Sequence, residues 1–476
     1  MALNLGVHVY EKATAVSTPV VADSGVPFVV GTAPVHTAAK PAKSNVPVLA
    51  TSWDEAVEKL GFSYDWKNYT LCEFIYSHFQ LYGCQPVIFV NVLDAEKDTE
   101  ELAAQKYPVA EHQAALPFEA LTGGLTVKNG DEGAALGLDE DYTVFYDENA
   151  GKLIVELLES GSAYEATELN VSGRKLKPSA VEQADIVEGL GAVDACMSGV
   201  GVIPDLICAP GWSHNSPVAA IMATKAAGIN GLFRAKAVID VDCGASGVKE
   251  YSELPGWKSK NNMVDENQIL CWPMVKLGDY QFHLSTQLSG LMAKVDTDNA
   301  GCPYESPSNK SLKMDGCCLE DGTEVSLTFE QSNLIAGYGI VTALNFMSMG
   351  WTARNNYTAC YPGNTDVKDY FIPVSRMFDW VGNTLIRTFW SKLDKPMTRR
   401  LIDTILDTCN IWLNGLVGTE RLLGARAEML EEENTLTDLM AGIIHIHIYL
   451  TPPSPAQEID FTLEYDTAYV TAALQA

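Results

Sequence analysis

The C-terminal end of this chain alternates between apolar and polar residues, and this pattern constrains the fold more than any other feature. In EIDFTLEYD (458–466) the odd-numbered positions are apolar and the even-numbered ones are polar. A strand turns successive side chains to opposite faces, so the segment predicts a strand with one apolar face. The residues on that face are Ile459, Phe461, Leu463 and Tyr465. Such a strand needs a neighbour that covers its apolar face and pairs with its backbone.

Two further segments carry the same signal. Near the N-terminus, LGVHVYEK (5–12) predicts a strand with Val7 and Val9 on one face and Tyr10 on the other. GIIHIHIYL (442–450) predicts another strand, which carries Ile444, Ile446 and Ile448. Chain ends are usually poorly ordered unless a partner holds them. The periodicity leaves two possibilities open: the terminal strands pair within their own chain, or they add to a sheet of another subunit.

Charge and composition exclude several classes of partner. Lys and Arg number 32 against 61 Asp and Glu, which gives a net charge of −29. Nucleic acid and anionic membrane surfaces both require clustered basic residues, so neither is expected as a partner. Hydrophobic residues make up 47% of the chain, as in a folded soluble protein, and no apolar window approaches the ~20 residues of a membrane-spanning helix. We expect a protein that is made and folded in the cytosol, with its 11 cysteines as buried thiols.

The pattern of predicted elements divides the chain into several units. Strands alternate with helices in two separate stretches, which predicts an α/β core. Between them, short strands with turns such as Asn129-Gly130 predict an inserted small antiparallel β-sandwich or barrel. Two amphipathic helices followed by alternating strands predict an α+β C-terminal domain. The predicted α+β multidomain organisation is an N-terminal arm (1–25), the first part of the α/β body (26–104), the β-rich insertion (105–181), the α/β core (182–365), the C-terminal domain (366–457) and a C-terminal arm (458–476).

A search for reactive groups predicts no catalytic, cofactor-binding or metal-binding residues. His445 and His447 project from one face of a predicted strand, but no third ligand accompanies them, so a polar strand face is the better interpretation. The Gly244–Gly247 segment has the wrong glycine spacing for a nucleophile elbow and predicts a plain loop. An enzyme on the α/β scaffold, similar to a hydrolase, is the alternative, although the sequence supplies no nucleophile with its base and orienting residue.

Several segments, taken in order along the chain, resemble the contractile tail sheath family of phages and phage-like particles. The resemblance covers nearly the whole chain. The segments are VPFVVGTAPVH (26–36), PDLICAPGWSH (204–214), residues 288–312, GYGIVTALNFMSMGWTARN (337–355), KDYFIPVSRMFDWV (368–381) with the family's arginine at Arg376, and residues 434–461 with Gly442, Pro455 and Glu458 in register. The chain departs from the family pattern at Ser306-Pro307-Ser308-Asn309 and at Trp351-Thr352-Ala353-Arg354-Asn355.

The resemblance implies a structural protein without a cofactor. Sheath subunits form stacked hexameric rings around an inner tube, and contraction from a metastable extended state drives the tube through a target envelope. The implied partners are other copies of the chain, the inner tail tube protein, and baseplate and tail terminator proteins. The implied location is the tail of a virion or phage-like particle that is assembled in the bacterial cytoplasm. Another tail component, such as a baseplate protein, remains an alternative.

The resemblance also favours exchange of strands between subunits. Arms at about 5–12 and 458–470 would reach into neighbouring copies, and 442–450 would be the strand that accepts them. The residues implied in this exchange are Val7, Val9, Tyr10, Ile444, Ile446, Ile448, Ile459, Phe461, Leu463 and Tyr465.

Overall fold

The computed structural model describes residues 19–131, 133–347 and 350–474. Its centre is an eight-stranded sheet with the order β18-β17-β12-β11-β10-β1-β3-β2. The pairs from β17 to β3 are parallel, and the antiparallel strands β18 and β2 lie at the two edges. The strands are β1 (Pro27–Gly31), β2 (Val48–Ala50), β3 (Val87–Asn91), β10 (Leu206–Cys208), β11 (Lys236–Asp240), β12 (Gln268–Cys271), β17 (Ile340–Asn345) and β18 (Trp351–Arg354).

Continuous apolar runs form the central strands because helices cover both faces of the sheet. Every residue of β1, β3 and β11 is buried, as expected for a parallel sheet with two covered faces. Val30 contacts the helix that contains Gly189, whereas Gly31 lies against Thr70 of another helix. Successive strand residues point to opposite faces, so these two helices lie on opposite sides of the sheet. The stretches 26–104 and 182–365 therefore contribute to one sheet, with β1 and β10 side by side.

The helices begin and end largely where local signals place them. The first helix of the body starts after Ser52, whose hydroxyl accepts a hydrogen bond from the Glu55 N–H, and it ends at Gly61 with φ of 72°. The helices are α1 (Trp53–Leu60), α2 (Thr70–Ile75, continued by a π-helical segment to Tyr82), α3 (Gln183–Gly191), α4 (Cys196–Gly199), α5 (Ser216–Ala227), α6 (Leu254–Lys260), α7 (Leu284–Asp298), α8 (Phe329–Ala336), α9 (Val367–Tyr370), α10 (Ile372–Phe389), α11 (Arg399–Gly418), α12 (Leu436–Met440) and α13 (Thr467–Leu474).

The sequence predicts one strand over 269–277, and this prediction is wrong. The segment divides at Trp272-Pro273: β12 belongs to the central sheet, whereas the residues after Pro273 enter a separate four-stranded antiparallel sheet. Proline has no backbone N–H to donate, so the ladder of the central sheet ends there. The small sheet has the order β14-β13-β15-β16, from β13 (Met274–Leu277), β14 (Tyr280–Phe282), β15 (Gly316–Cys318) and β16 (Glu324–Val325).

Between β3 and α3 the chain forms a six-stranded antiparallel sheet with its own hydrophobic core. The long strand β4 pairs with both β9 and β5, and a bulge between Leu102 and Gln105 interrupts its pairing with β9. Its order is β6-β9-β4-β5-β8-β7, from β4 (Thr99–Ala110), β5 (Gln113–Pro117), β6 (Thr126–Asn129), β7 (Tyr142–Asp147), β8 (Lys152–Leu157) and β9 (Glu168–Leu176). The strands are antiparallel, as the turn residues predict, while the domain bounds 105–181 stay a prediction.

A buried arginine joins three distant parts of the chain. Arg376, at the start of α10, donates to Asp205 over 2.7 Å and to Asp296 of α7 over 3.1 Å. The same carboxylates accept hydrogen bonds from the segment that leads into β1, namely from Ser24 Oγ and from the Val26 N–H, both at 2.7 Å. Burial would lower the pKa of Arg376, but the two carboxylates outweigh it and raise that pKa. One cation therefore links the N-terminal segment, the α/β body and the C-terminal helices.

Replacing Arg376 by methionine should lower the free energy of unfolding by about 3–5 kcal/mol, because two buried carboxylates would lose their cation. The matched control is Arg399→Met, since Arg399 is 92% exposed and faces Asp403 only at 3.8 Å. That change should alter stability little. Urea denaturation of both variants checks the prediction, and equal unfolding midpoints would show that the buried network does not hold the units together.

Candidate subunit interface

The C-terminal unit contains a sheet of only two strands. Strand β19 (Gly424–Glu428) pairs antiparallel with β20 (His447–Thr451), and Arg426 lies directly opposite Tyr449. The Arg426 guanidinium lies 3.8 Å from the centre of the Tyr449 ring on the outer face. The opposite face packs against a small core between α10 and α11, which includes Trp380, Cys409 and Leu413. The strand residues on this inner face are Ala425, Ala427, Ile446, Ile448 and Leu450.

The predicted strand over 442–450 is shorter in the structure and begins at His447. The side-chain amide of Asn434 binds both the N–H and the C=O of His445, each at 2.8 Å. These two bonds take up the groups that would otherwise extend the ladder. Of the residues predicted to accept a strand, Ile446 and Ile448 pack against the core, and Ile444 is half-buried before β20.

Sequence reasoning missed the partner strand β19. Its residues GARAE include two small alanines on the inner face, so its alternation is a weak hydrophobic signal. The two histidines of the predicted polar face are also separated: His447 Nδ1 lies 2.8 Å from Glu433 Oε1, while the backbone of His445 binds Asn434. Among the residues that the structure describes, no three His, Cys, Asp or Glu side chains are placed to hold a metal ion.

Residues 458–466 do not pair as a strand with the described part of their own chain, so their predicted exchange between subunits stays a prediction. These residues have no regular secondary structure, and α13 follows them. Ile459, Phe461, Leu463 and Tyr465 are 70%, 85%, 95% and 78% exposed. The physical reason is that the segment leaves its own body after Pro452-Pro453 and meets no strand edge there. Its apolar face is therefore open to a partner.

The N-terminal segment leaves the body beside the same unit. The Val20 and Ala22 N–H groups donate to Thr388 Oγ1 and Thr384 Oγ1 of α10, both at 3.0 Å. Trp380 returns a hydrogen bond from Nε1 to the Ala22 carbonyl, also at 3.0 Å. Val7, Val9 and Tyr10 lie outside the described residues, so their predicted role stays a prediction.

A cavity of about 490 Å³ lies where strands of the central sheet end, and it bears on the enzyme alternative. Its lining includes His214, Asp240, Cys243 and His283. Burial lowers the pKa of His214 and raises the pKa of the Cys243 thiol to about 12. The carboxylate of Asp240 accepts hydrogen bonds from two buried serines rather than from a histidine. Within the described ranges, neither cavity histidine is hydrogen-bonded to a hydroxyl or thiol, so this geometry gives the hydrolase-like alternative no support.

Comparison with known proteins gives full-length matches. No profile of a known protein family matches the chain. The tail sheath protein of Burkholderia phage BcepMu is 24% identical over 485 aligned residues, which cover 98% of this chain and 97% of that protein. The tail sheath protein of Escherichia phage P2 is 25% identical over 283 residues, covering 57% of this chain and 65% of that protein.

Solved structures agree with the sequence matches over the whole length of the chain. The contracted helical sheath of the anti-feeding prophage aligns with a TM-score of 0.59 at 14% identity, covering 97% of this chain and 99% of that one. The contracted sheath complex of the extracellular contractile injection system PVC gives a TM-score of 0.58 at 13% identity, covering 98% and 100%. The chain is similar over nearly its whole length to proteins of the contractile tail sheath family, and this supports the resemblance.

These matches confirm the resemblance to tail sheath proteins seen in the sequence. None of the described helices is long and apolar enough to cross a membrane. The segment 458–466 exposes its apolar side chains, and the sheet of the C-terminal unit has two strands.

A buried ion pair at the cavity should make stability depend on pH. Burial would lower the pKa of His283, but the Glu73 carboxylate, 2.7 Å from Nδ1, outweighs it and raises that pKa to about 9. A raised histidine pKa stabilises the fold below the ordinary value of 6.5, and this contribution is lost as the pH rises through about 9. Glu73→Gln should therefore lower the urea midpoint most at pH 6, and the gap to the unmodified protein should narrow by pH 10.

The control for this pH series is Glu58→Gln, which removes a surface carboxylate that pairs with Lys40. Its midpoint should follow that of the unmodified protein across the whole range. A Glu73→Gln deficit of constant size from pH 6 to pH 10 would contradict an ionised pair.

Proposed function

We propose that the chain is a structural subunit of a contractile tail sheath, and that residues 458–466 add as a strand to the C-terminal sheet of a neighbouring copy. The observation that carries this proposal is the exposure of the apolar side chains of 458–466, up to 95% at Leu463, in a segment that alternates like a strand. A sheet of two strands in the same unit offers an edge that such a segment can complete.

The energetics suit reversible assembly from many weak contacts. Strand addition forms several backbone hydrogen bonds, each worth about 0.5–1.5 kcal/mol net. Burial of Phe461 and Leu463 would contribute about 1.5–3 kcal/mol each. One arm is therefore a modest link, while arms repeated on every subunit act together, because each bound arm raises the effective concentration of the next. The same role is proposed for 5–12 at the other end of the chain.

Contraction of such a lattice can proceed while the arms stay attached. Residues 451–457 contain Pro452, Pro453 and Pro455 and connect β20 to the arm, so this link can redirect the strand without disturbing either sheet. In the proposed sheath, hexameric rings surround an inner tube, and rigid-body movement of the subunits carries an extended lattice to a contracted one. Energy stored during assembly would drive this change. The proposed partners are further copies of the chain, the tube, and baseplate and terminator proteins of a phage or phage-like tail.

Electron microscopy of the purified chain separates this proposal from its alternatives. A sheath subunit should form wide tubes without other proteins, whereas a baseplate component or an enzyme should not. Chains that stay monomeric at every concentration and salt condition would count against a sheath subunit.

Deleting residues 459–476 should abolish polymerisation and leave the folded body intact. The described side chains of this segment are all at least 40% exposed where they are large and apolar, so the body loses no core contact. The truncated protein should unfold at the same urea concentration as the full chain in its monomeric form. Light scattering and microscopy measure assembly, and normal tubes from the truncated chain would refute the exchange.

The two faces of the arm should differ in importance. Phe461→Asp places a charge on the apolar face and should block assembly, because the neighbour's core would have to bury it. Asp460→Ala changes the adjacent residue on the polar face and should have little effect. Sedimentation of polymer measures both variants, and equal losses would mean that the faces are assigned wrongly.

A further inference from the structure

The structure assigns different roles to the two edges of the C-terminal sheet. We propose that residues 458–466 of a second copy add only at the outer edge of β20, and that Asn410 of α11 closes the outer edge of β19 against them. This inference rests on the proposed strand exchange and specifies where the exchange takes place.

Asn410 occupies the backbone groups that an added strand would need on β19. Its side-chain Nδ2 donates to the Ala427 carbonyl at 2.9 Å, and its Oδ1 accepts from the Ala427 N–H at 2.8 Å. A neighbouring strand would form the same pair of bonds with Ala427. The amide is held in place from the other side, since Nδ2 also lies 3.0 Å from the Leu406 carbonyl within α11.

These bonds also determine which backbone N–H and C=O groups of β20 point toward β19. Ala427 lies opposite Ile448, and because its N–H and C=O bind Asn410, they do not bind Ile448. In an antiparallel ladder, bonded and non-bonded pairs alternate, so the backbones of Tyr449 and His447 face β19. The His445 N–H and C=O point to the same side, where Asn434 binds both of them. One side of β20 is thus fully paired.

The other side of β20 remains open. By the same alternation, the N–H and C=O groups of Ile448 and Leu450 point away from β19. In the part of the chain that the structure describes, these groups have no hydrogen-bond partner. Their side chains pack on the core of the C-terminal unit. A strand that binds here extends that inner face, which is where the apolar side chains of 458–466 would be covered.

The occupant is a second copy of this chain rather than an unrelated protein. Residues 458–466 alternate with the period of a strand, and their side chains stand free of their own body. Ile448 and Leu450 on this edge carry their side chains on the inner face, next to which the arm can place its apolar positions. Thr451 is followed by Pro452, which limits the edge at its C-terminal end, since proline cannot donate to a ladder.

Disulfide cross-linking in assembled tubes tests the edge assignment. Arg426 and Tyr449 lie opposite each other on the outer face, one on each strand, which makes them a matched pair of positions. Strands are about 4.8 Å apart, so an arm beyond β20 lies one spacing from Tyr449 and two from Arg426. Cysteines are introduced at Tyr449 or Arg426, each combined with Asp460→Cys, Thr462→Cys or Glu464→Cys. The 11 native cysteines are buried and should not compete.

Cross-linked oligomers should form with Tyr449→Cys at one or more arm positions, roughly tenfold more than with Arg426→Cys, because a disulfide tolerates only a short Cβ separation. Stronger cross-linking through Arg426→Cys would overturn the edge assignment while keeping the exchange. Cross-linking at neither position, in tubes that still form, would overturn the exchange itself. The two failures are therefore distinguishable.

Asn410→Leu tests the closing role directly. The substitution removes both bonds to Ala427, so Arg426→Cys cross-links to the arm should appear. The control is Asn383→Leu, because Asn383 binds the N–H and C=O of Arg234 in the same way, at 3.0 and 2.8 Å, away from this sheet. If both variants lose similar stability and neither gains cross-links at Arg426→Cys, Asn410 is only structural. Should Asn410→Leu fail to fold, the comparison of Tyr449→Cys with Arg426→Cys in the protein that keeps Asn410 still shows which strand edge binds the arm.

Discussion

Unpaired backbone groups at the C-terminal sheet are the constraint on which the proposed strand exchange depends. A sheet of two strands has two outer edges, and each edge carries N–H and C=O groups that need partners. Here the side chains of Asn410 and Asn434 supply part of that pairing, and the outer side of β20 is left over. Residues 458–466 also extend away from the body, and their apolar side chains are exposed. The unpaired edge of β20 and the uncovered apolar face of 458–466 are therefore complementary.

In the proposed exchange, the terminal segments would transmit force only if the body to which they are attached is rigid. The Arg376 network provides that connection, because its two carboxylates belong to the α/β body while Ser24 and Val26 belong to the N-terminal segment. Buried charge pairs resist changes in geometry, because breaking one leaves an uncompensated buried charge. The hydrogen bonds of Val20 and Ala22 to α10 continue the attachment toward the N-terminus. Both ends of the described chain thus depart from the C-terminal unit.

Much of the fold could be predicted from local patterns. The continuous apolar run at β3, the cap at Ser52 and the amphipathic period of α11 each encode an element without help from the rest of the chain. The prediction over 269–277 was wrong because the apolar residues run on through Pro273, and a proline in such a run demands a break that hydrophobicity alone does not show. Strand β19 was missed because alanines give little contrast between faces.

The sequence by itself determined that residues 458–466 alternate like a strand, because side-chain direction along an extended chain depends only on local geometry. It also determined the resemblance to tail sheath proteins, since motifs in order along the chain are local features. Only the tertiary structure decided that this segment pairs with no strand among the residues described, and that Asn410 and Asn434 take up the backbone groups of Ala427 and His445. Those bonds join residues 17 and 11 positions apart in the chain, through Asn410 on α11, which packs on β19, and Asn434, which follows the short turn Glu431–Glu433. No periodicity encodes such contacts.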